Sequence, residues 1–414
     1  MDAEVATLEA YRGTSDFERT IEIIEDGPPL NYSPTSAAIA GVSRCATAFS
    51  GGKDSLVQTG LLTELTPNPV LVATKSPMPP LEDHITPRRR YILDEVQRRR
   101  DVTLIEVESD YRGNFDHGFA QELGYRISVN ELTDTFLYTA SLLAAGVALG
   151  ATHLFLASEA NLHNNIELYG RVVQHSQCMY SGVTLCALNA LLRPFGVSYS
   201  SLISPLERRQ VQTLLLSRYA DLCDLQFSCW SVKGDESACS RCLKCLTVSS
   251  SILAFGGRPS RIGVNLVSLL NEFRDWRPKT LDQLKQLTFP KDINFGQLDA
   301  VIAYEMRGIS LRRMAMTIAC DEPGRLLTFR AWKALLAYRG LRRRAIARNP
   351  AEPPGYRRGF LKFVDPLLSE KVGAIFDQHF PPAEESDYAD LIARSESLLN
   401  WIIEPLAANQ FRVS

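Results

Sequence analysis

Short apolar runs alternate with longer helical patterns through the first half of the chain, and this alternation restricts the fold more than any other feature. A tight turn reverses the chain and so joins antiparallel strands, whereas a helix between two strands carries the chain back to the edge where the first strand began. Strands that are joined by helical crossovers therefore lie parallel in one sheet. The sequence therefore predicts an α/β protein, with a doubly wound sheet of about five parallel strands and helices on both faces. The predicted strands are residues 45–49, 69–74, 102–107, 153–157 and 197–203, and the predicted helices include residues 55–64, 87–100, 131–149, 206–219 and 247–255.

The length of 414 residues exceeds that of an average single domain, so we expect more than one domain. We predict an N-terminal lead-in over residues 1–44, a catalytic α/β domain over residues 45–257 and a helical C-terminal domain over residues 258–414. The patterns of the last region are helical, with breaks at glycine and proline residues. No motif in that region indicates a chemical role, so its function stays open.

Composition and the N-terminal segment bear on the location of the protein. Hydrophobic residues make up 45% of the chain and charged residues 22%, as in soluble globular proteins, and no apolar run has the length of a membrane span. Residues 1–9 carry acids and lack the basic and apolar parts of a secretory signal. We therefore expect a cytoplasmic protein that does not associate with membranes.

A string of six residues, Ser-Gly-Gly-Lys-Asp-Ser, follows the first predicted strand and opens the first predicted helix. The glycines allow a tight turn in which several backbone N–H groups converge, and the amino end of the helix adds positive potential for a phosphate. The serines add hydroxyl donors, the lysine adds a cation and the aspartate can contact Mg²⁺ indirectly. An ordinary glycine turn with a capping serine is the alternative, but the complete string in this setting favours phosphate binding. The predicted nucleotide-binding residues are Ser50, Gly51, Gly52, Lys53, Asp54 and Ser55, and Lys53 and Asp54 are the predicted catalytic residues.

Four of the nine cysteines lie in one short segment with the spacing Cys-x9-Cys-x2-Cys-x2-Cys. Four thiolates at this spacing suit a tetrahedral zinc ion, because a Cys-x2-Cys pair supplies two ligands from a single turn. Iron–sulfur clusters also use Cys-x2-Cys pairs, and buried cysteines without a metal are a further alternative. We expect a structural zinc ion, with Cys229, Cys239, Cys242 and Cys245 as its ligands.

The phosphate-binding string resembles the signature of the PP-loop ATP pyrophosphatase superfamily, whose fold is of the Rossmann-like adenine nucleotide alpha hydrolase type. Residues 204–206, 227–230 and 239–245, taken together with this string, resemble 7-cyano-7-deazaguanine synthases. The resemblance covers residues 45–257. It implies a zinc-binding segment at the end of the catalytic domain and the cofactors ATP, Mg²⁺ and Zn²⁺.

The same resemblance implies the reaction of an ATP-dependent ligase that forms C–N bonds. Such an enzyme adenylates a carboxylate or an amide of a base-like small molecule and releases pyrophosphate. An amine donor, which is ammonia in that family, then displaces AMP and leaves an amide or a nitrile. The expected partners are therefore a small-molecule substrate and an amine donor, and a homo-oligomer is compatible with the sequence.

The loop after the fourth predicted strand supplies the candidate substrate residues. Residues 158–170 form a polar loop where the family carries Tyr-Pro-Asp-Cys-Arg, and residues 73–77 replace its Tyr-Gly-Gln-x-His. These departures predict that the ATP chemistry is kept while the substrate differs. Because substrates of open parallel sheets bind at the carboxyl ends of strands, we predict contacts from Glu159, Asn161 and His163, with solvated loop residues or helix caps as the alternative. The histidine is also a candidate proton shuttle.

Positive charge is concentrated in residues 307–358, which contain 13 lysines or arginines against three acids. Residues 342–344 are all arginine, and Trp332, Tyr338 and Tyr356 are interleaved with the basic residues. Such a stretch can follow a phosphate backbone and stack on bases, which would make nucleic acid a partner. A solvated helix face that balances the acidic remainder of the chain is the interpretation we favour.

Two other functions remain open. An RNA-modifying thiolase or ligase of the PP-loop class would use the basic stretch to hold RNA, although the sequence lacks an obvious catalytic cysteine pair. A nucleotide-sensing module without catalysis would use ATP to order the helical region, and the intact lysine and aspartate of the string argue against it. The added helical region is also compatible with a bacterial defence or specialised modification pathway.

Overall fold

The coordinates of this protein are a computed structural model. The structure describes residues 44–75, 82–109, 129–160, 165–168, 171–174, 182–193, 196–229, 231–232, 236–280, 282–283, 290–321, 328–350, 352 and 355–384. Except for Arg44, the predicted N-terminal lead-in lies outside these residues.

Seven strands form two sheets. Within the residues that the structure describes, these strands are β1 (Cys45–Ala48), β2 (Val70–Lys75), β3 (Thr103–Glu108), β4 (His153–Phe155), β5 (Asn165–Leu168), β6 (Arg171–Gln174) and β7 (Ser198–Ser200). The main sheet has the order β3-β2-β1-β4-β7, and every neighbouring pair in it is parallel. The strands β5 and β6 form a separate antiparallel pair. The prediction of an α/β protein with five parallel strands is therefore confirmed.

Eleven helices accompany the strands within the described residues. They are α1 (Lys53–Leu65), α2 (Glu82–Arg99), α3 (Val129–Ala148), α4 (Gly182–Leu192), α5 (Arg208–Ser217), α6 (Leu243–Ala254), α7 (Leu266–Glu272), α8 (Pro290–Gly308), α9 (Leu311–Asp321), α10 (Phe329–Arg348) and α11 (Pro366–Asp377). Short 3₁₀ helices cover Cys223–Leu225, Pro259–Ile262 and Arg358–Phe363. Among the described residues no helix combines the length and the apolar character that crossing a membrane requires.

Both faces of the main sheet are buried. Alternate residues of β1 and β2 enter different cores: Cys45 and Leu71 pack on one face, and Ala46 and Val70 pack on the other. The first core also contains side chains of α1, α2, α5 and α11, and the second contains side chains of α3 and α4. A period of two with both faces apolar is typical of strands in a parallel sheet that is covered by helices on both sides.

A third core surrounds α6 and lies mainly among the later helices. It contains Leu246 of α6, Ile302 of α8, Tyr338 of α10 and two cysteines of the predicted metal site. The segment 355–384 turns back instead and packs α11 into the first core, against the sheet. The first and the third core thus both contain residues from either side of the predicted domain boundary at residue 257. The division into three domains stays a prediction.

Asp365 anchors this returning segment to the amino ends of two strands. Its Oδ2 accepts a hydrogen bond of 2.7 Å from Ser198 Oγ in β7 and lies 3.5 Å from His153 Nε2 in β4. Its Oδ1 accepts a bond of 3.0 Å from the backbone N–H of Leu367 and so caps α11. Because Asp365 and His153 are both buried, this carboxylate joins the sheet to α11 without competition from water.

Replacing Asp365 with Ala is expected to lower the free energy of unfolding by about 3 kcal/mol, because the change removes a charge-assisted hydrogen bond and a helix cap together. Denaturation by guanidinium chloride, followed by circular dichroism, measures the effect. Glu370→Ala is the matched control, since Glu370 lies exposed on the same helix and the change is expected to cost less than about 0.5 kcal/mol. Equal stability of the two variants would contradict the anchoring role.

Candidate functional site

The six-residue string forms the turn between β1 and α1, at the carboxyl end of β1. Gly51 has a φ of +77°, which side-chain-bearing residues rarely adopt, and a Cβ at this position would lie 3.3 Å from Ile92. Gly52 is the N-cap of α1, so no side chain caps the first turn, and Ser55 Oγ donates a bond of 3.0 Å to the Gly52 carbonyl. The N–H groups of the first turn are thus available to an anion, and the helix dipole favours negative charge there.

The order of the strands places this turn at the topological switch point of the sheet. From β1 the sheet extends through β2 and β3 in one direction and through β4 and β7 in the other. Ligands of open α/β sheets bind in the crevice outside the carboxyl ends of the strands at such a point. The turn between β1 and α1 and the loop after β4 border the crevice; Lys53 is the first residue of α1, and Glu159 lies in the loop after β4.

Charged side chains of α1, of the loop after β4 and of α5 form one network. Lys53 Nζ lies 2.5 Å from Glu159 Oε2 and also contacts the carboxylate of Asp54. Glu159 Oε1 accepts a bond of 3.1 Å from Arg208 Nε. Burial opposes the ionisation of Glu159, but Lys53 and Arg208 outweigh it and lower the pKa of this carboxyl group to about 2. Glu159 is therefore a buried carboxylate between two cations.

Of the predicted substrate residues, Glu159 is the one that the structure describes. Asn161 and His163 lie outside the described residues. Glu159 is only 5% exposed, so the alternative of a solvated loop residue is wrong for this position. The structure brings it together with Lys53 and Asp54, which the sequence placed in a different motif.

Two cations of the site were not predicted from the sequence. Arg208 is the first residue of α5, and Lys244 lies in the first turn of α6 between two of the cysteines. Burial lowers the pKa of Lys244 to about 8, and the charges of the site also act on it, in decreasing order those of Arg208, Asp54, Lys53 and Glu159. The helix dipole disfavours a cation at the amino end of a helix. The position of Arg208 and Lys244 near predicted helix starts was therefore the one signal in the sequence that could have indicated a specific role for them.

Arg357 of the returning segment contacts both chain segments that carry Glu159 and Arg208. Its Nη2 lies 2.5 Å from Glu207 Oε1, and its Nη1 donates a bond of 3.3 Å to the carbonyl of Ala160. Glu207 precedes Arg208, and Ala160 follows Glu159. One buried guanidinium group therefore holds together the two chain segments that supply the Glu159–Arg208 contact.

The four cysteines converge on one point. Their Sγ atoms all lie within 4.8 Å of one another, with 4.0 Å between Cys229 and Cys242 and 3.8 Å between Cys239 and Cys245. Sulfur ligands of a tetrahedral zinc ion, with Zn–S bonds of about 2.3 Å, are about 3.8 Å apart. The backbone N–H groups of Cys239 and Cys245 donate to Cys229 Sγ and Cys242 Sγ at 3.3 and 3.4 Å, as suits thiolate ligands. The cluster can therefore hold a metal ion such as zinc.

The basic helix α10 is partly built into the third core. Tyr338 of this helix is buried and donates its hydroxyl to the Ile309 carbonyl at 2.7 Å. Tyr356, which follows the helix and lies in the first core, is also buried, with its hydroxyl 2.5 Å from Asp377. Neither ring is therefore available to stack on a base. Among the three consecutive arginines, two donate to backbone carbonyls of neighbouring segments: Arg342 to Arg307 at 3.3 Å and Arg344 to Arg274 at 2.6 Å.

Comparison with known proteins assigns no family to this chain. No protein-family model matches it, and no curated protein matches it significantly. The functional argument therefore depends on the chemistry of the site.

Proposed function

We propose that the protein is an ATP-dependent ligase of the PP-loop class. It adenylates a carboxylate or an amide of a base-like small molecule, releases pyrophosphate and transfers the activated group to an amine. The observation that carries this proposal is the single charged network that joins Lys53 and Asp54 of the glycine turn to Glu159, at the switch point of a parallel sheet.

The glycine turn and the amino end of α1 supply the groups that bind the triphosphate. Their N–H groups and the hydroxyl of Ser50 donate to phosphate oxygens, Ser55 Oγ keeps the turn closed through its bond to the Gly52 carbonyl, and Lys53 and Arg208 neutralise negative charge. In the reaction, a substrate oxygen bonds to the α-phosphorus and the bond from the α-phosphorus to the bridging oxygen breaks, so that pyrophosphate leaves with the electron pair. Donors that are fixed before the reaction stabilise the charge of the pentavalent phosphorus and so lower the barrier.

Asp54 and Glu159 suit a magnesium ion. Both carboxylates contact the ammonium group of Lys53, so two sets of carboxylate oxygens converge on one cation. Mg²⁺ is usually bound through one or two carboxylates together with the phosphates of a substrate. When bound, the ion would supply further charge neutralisation at the phosphates, with Asp54 and Glu159 as its protein ligands.

The cysteine cluster suits a structural zinc ion rather than a catalytic one. Four thiolates complete a tetrahedral shell, whereas a catalytic zinc ion keeps one position for water or substrate. The third core packs directly against Cys229 and Cys245. The ion would therefore stabilise the segment that follows α5 and the start of α6.

Product analysis tests this function. The purified protein is incubated with ATP, Mg²⁺, ammonium and a small-molecule extract of the host cells, and the nucleotides are separated by anion exchange. We expect AMP and pyrophosphate; ADP and phosphate would contradict the proposal, because they require attack at the γ-phosphorus. Calorimetry with α,β-methylene ATP gives a check that needs no substrate, and the absence of Mg²⁺-dependent binding would also contradict it.

A further inference from the structure

The start of α5 connects the site to the chain beyond residue 257. We infer that this later part of the chain completes the site, and that Arg357 is a positioning residue that fixes Glu159 and Arg208 in the arrangement the reaction needs. This inference rests on the proposed function. It gives a role to the returning segment 355–384, for which no motif in the sequence indicated one.

Backbone hydrogen bonds join the same segments that the Arg357 side chain contacts. The N–H of Arg357 donates a bond of 2.9 Å to the Pro205 carbonyl, and the N–H of Ala160 donates a bond of 2.7 Å to the Leu206 carbonyl. The side chain of Arg357 is 11% exposed and that of its partner Glu207 is 16% exposed. The junction is therefore held by main-chain bonds and by a charge pair that water weakens little.

An apolar contact covers this junction. Ala160, the residue after Glu159, is fully buried and packs with Phe360 and Phe363 of the 3₁₀ helix that follows Arg357. The guanidinium carbon of Arg357 lies 5.2 Å from the centre of the Phe360 ring, a contact that orients the charged group. The loop after β4 is thus packed against the returning segment at the position next to its carboxylate.

A contact with α8 holds the start of α5 as well. Arg209, the residue after Arg208, donates a bond of 2.7 Å from its Nε to Glu305 Oε1, and its guanidinium carbon lies 4.7 Å from the centre of the Tyr304 ring. The Glu305 side chain is only 2% exposed. The residues on both sides of Arg208, which are Glu207 and Arg209, are therefore bound to the chain beyond residue 257.

The contact between Glu159 and Arg208 depends on such support. Glu159 lies in a loop and Arg208 is the first residue of a helix, so regular structure does not enclose either of them. Groups that act in a reaction have to be held to within about 0.5 Å by the residues around them, and a displacement of about 1 Å can lower a rate by about a hundredfold. Arg357 contacts both segments at once, so its loss is expected to displace both groups.

The variant Arg357→Met tests this role. Calorimetry with α,β-methylene ATP and Mg²⁺ counts the binding sites, and the release of pyrophosphate at saturating ATP is then expressed per binding site. We expect this rate to fall about tenfold or more. A residue that only stabilises the fold would reduce the number of sites and leave the rate of each site unchanged. Arg358→Met is the matched control, because the neighbouring Arg358 side chain is 62% exposed and its loss is expected to change neither quantity.

A double variant, Arg357→Met with Glu207→Gln, separates position from stability. The single variant leaves Glu207 buried without its cation, so its midpoint of thermal unfolding is expected to fall by about 5 °C or more, whereas the double variant removes both charges and is expected to recover most of that loss. Its rate per site is expected to stay low, because the bridge to the Ala160 carbonyl is still missing. The double variant also decides the question if the single variant does not fold.

Two results would overturn the inference and leave the proposed function intact. One is an unchanged rate per site in Arg357→Met, and the other is a rate per site in the double variant equal to that of the wild type. If the wild-type protein neither binds the ATP analogue with Mg²⁺ nor releases pyrophosphate, the proposed function itself fails.

Discussion

Replacing Lys53 with Met lowers the expected rate of pyrophosphate release by about a hundredfold or more, because one fixed positive charge is lost where negative charge develops on the leaving group. The side chain is 11% exposed and its ammonium group contacts both Asp54 and Glu159. The variant leaves these two carboxylates without their shared cation, so part of the loss comes from a less ordered site. The release of pyrophosphate from ATP is measured under saturating Mg²⁺ with a coupled colorimetric assay.

Two further variants make the Lys53 result specific. Glu159→Gln keeps the shape of the side chain but removes the charge between Lys53 and Arg208, and it is expected to lower the rate by about tenfold or more. Lys371→Met removes an exposed lysine of α11 and is expected to leave the rate unchanged. Unchanged turnover in Lys53→Met, with a circular dichroism spectrum like that of the wild type, would contradict the assignment of the glycine turn as the nucleotide site.

The strands of the sheet could be predicted because each one is indicated by the residue pattern of its own short segment. The run 45–49 corresponds to β1 at Cys45–Ala48, and the run 102–107 corresponds to β3 at Thr103–Glu108. In each case a short apolar or β-branched run between turn residues is sufficient to identify a strand. The strand order was not predicted, because it depends on which helices cover each face and not on any single segment.

The charged network could be predicted only in part, for a similar reason. Lys53 and Asp54 belong to a motif with a recognisable spacing, whereas Arg208 contacts Glu159, and Lys244 comes within electrostatic range of the same charges, only once the chain has folded. Their sequence separation from Lys53 is more than 150 residues, so no periodicity connects them. The helical pattern of α11 has the same ambiguity, since an apolar face shows that a helix is buried and does not show against which core.

A metal ion in the cysteine cluster is expected to be the largest single contribution to the stability of the region that includes the third core. Between the end of α5 and the start of α6, the described residues contain one 3₁₀ helix and no strand. Backbone hydrogen bonds of regular structure therefore hold little of this segment, and Cys229 and Cys245 are themselves core residues. Structural zinc contributes its binding free energy to folding, and apparent values for small zinc domains reach roughly 10 kcal/mol or more.

We therefore expect Cys242→Ser to yield little soluble folded protein, and chelation of the wild-type protein to lower its midpoint of thermal unfolding by about 10 °C or more. Purified wild-type protein is expected to be colourless and to contain about one zinc ion per chain, as measured by plasma mass spectrometry. Cys320→Ser is the matched control, because Cys320 is an exposed thiol of α9 outside the cluster and its loss is expected to change stability by less than about 0.5 kcal/mol. A brown protein that contains iron would show that the cluster holds an iron–sulfur centre. A Cys242→Ser variant that is as stable as Cys320→Ser would show that the metal has no structural role.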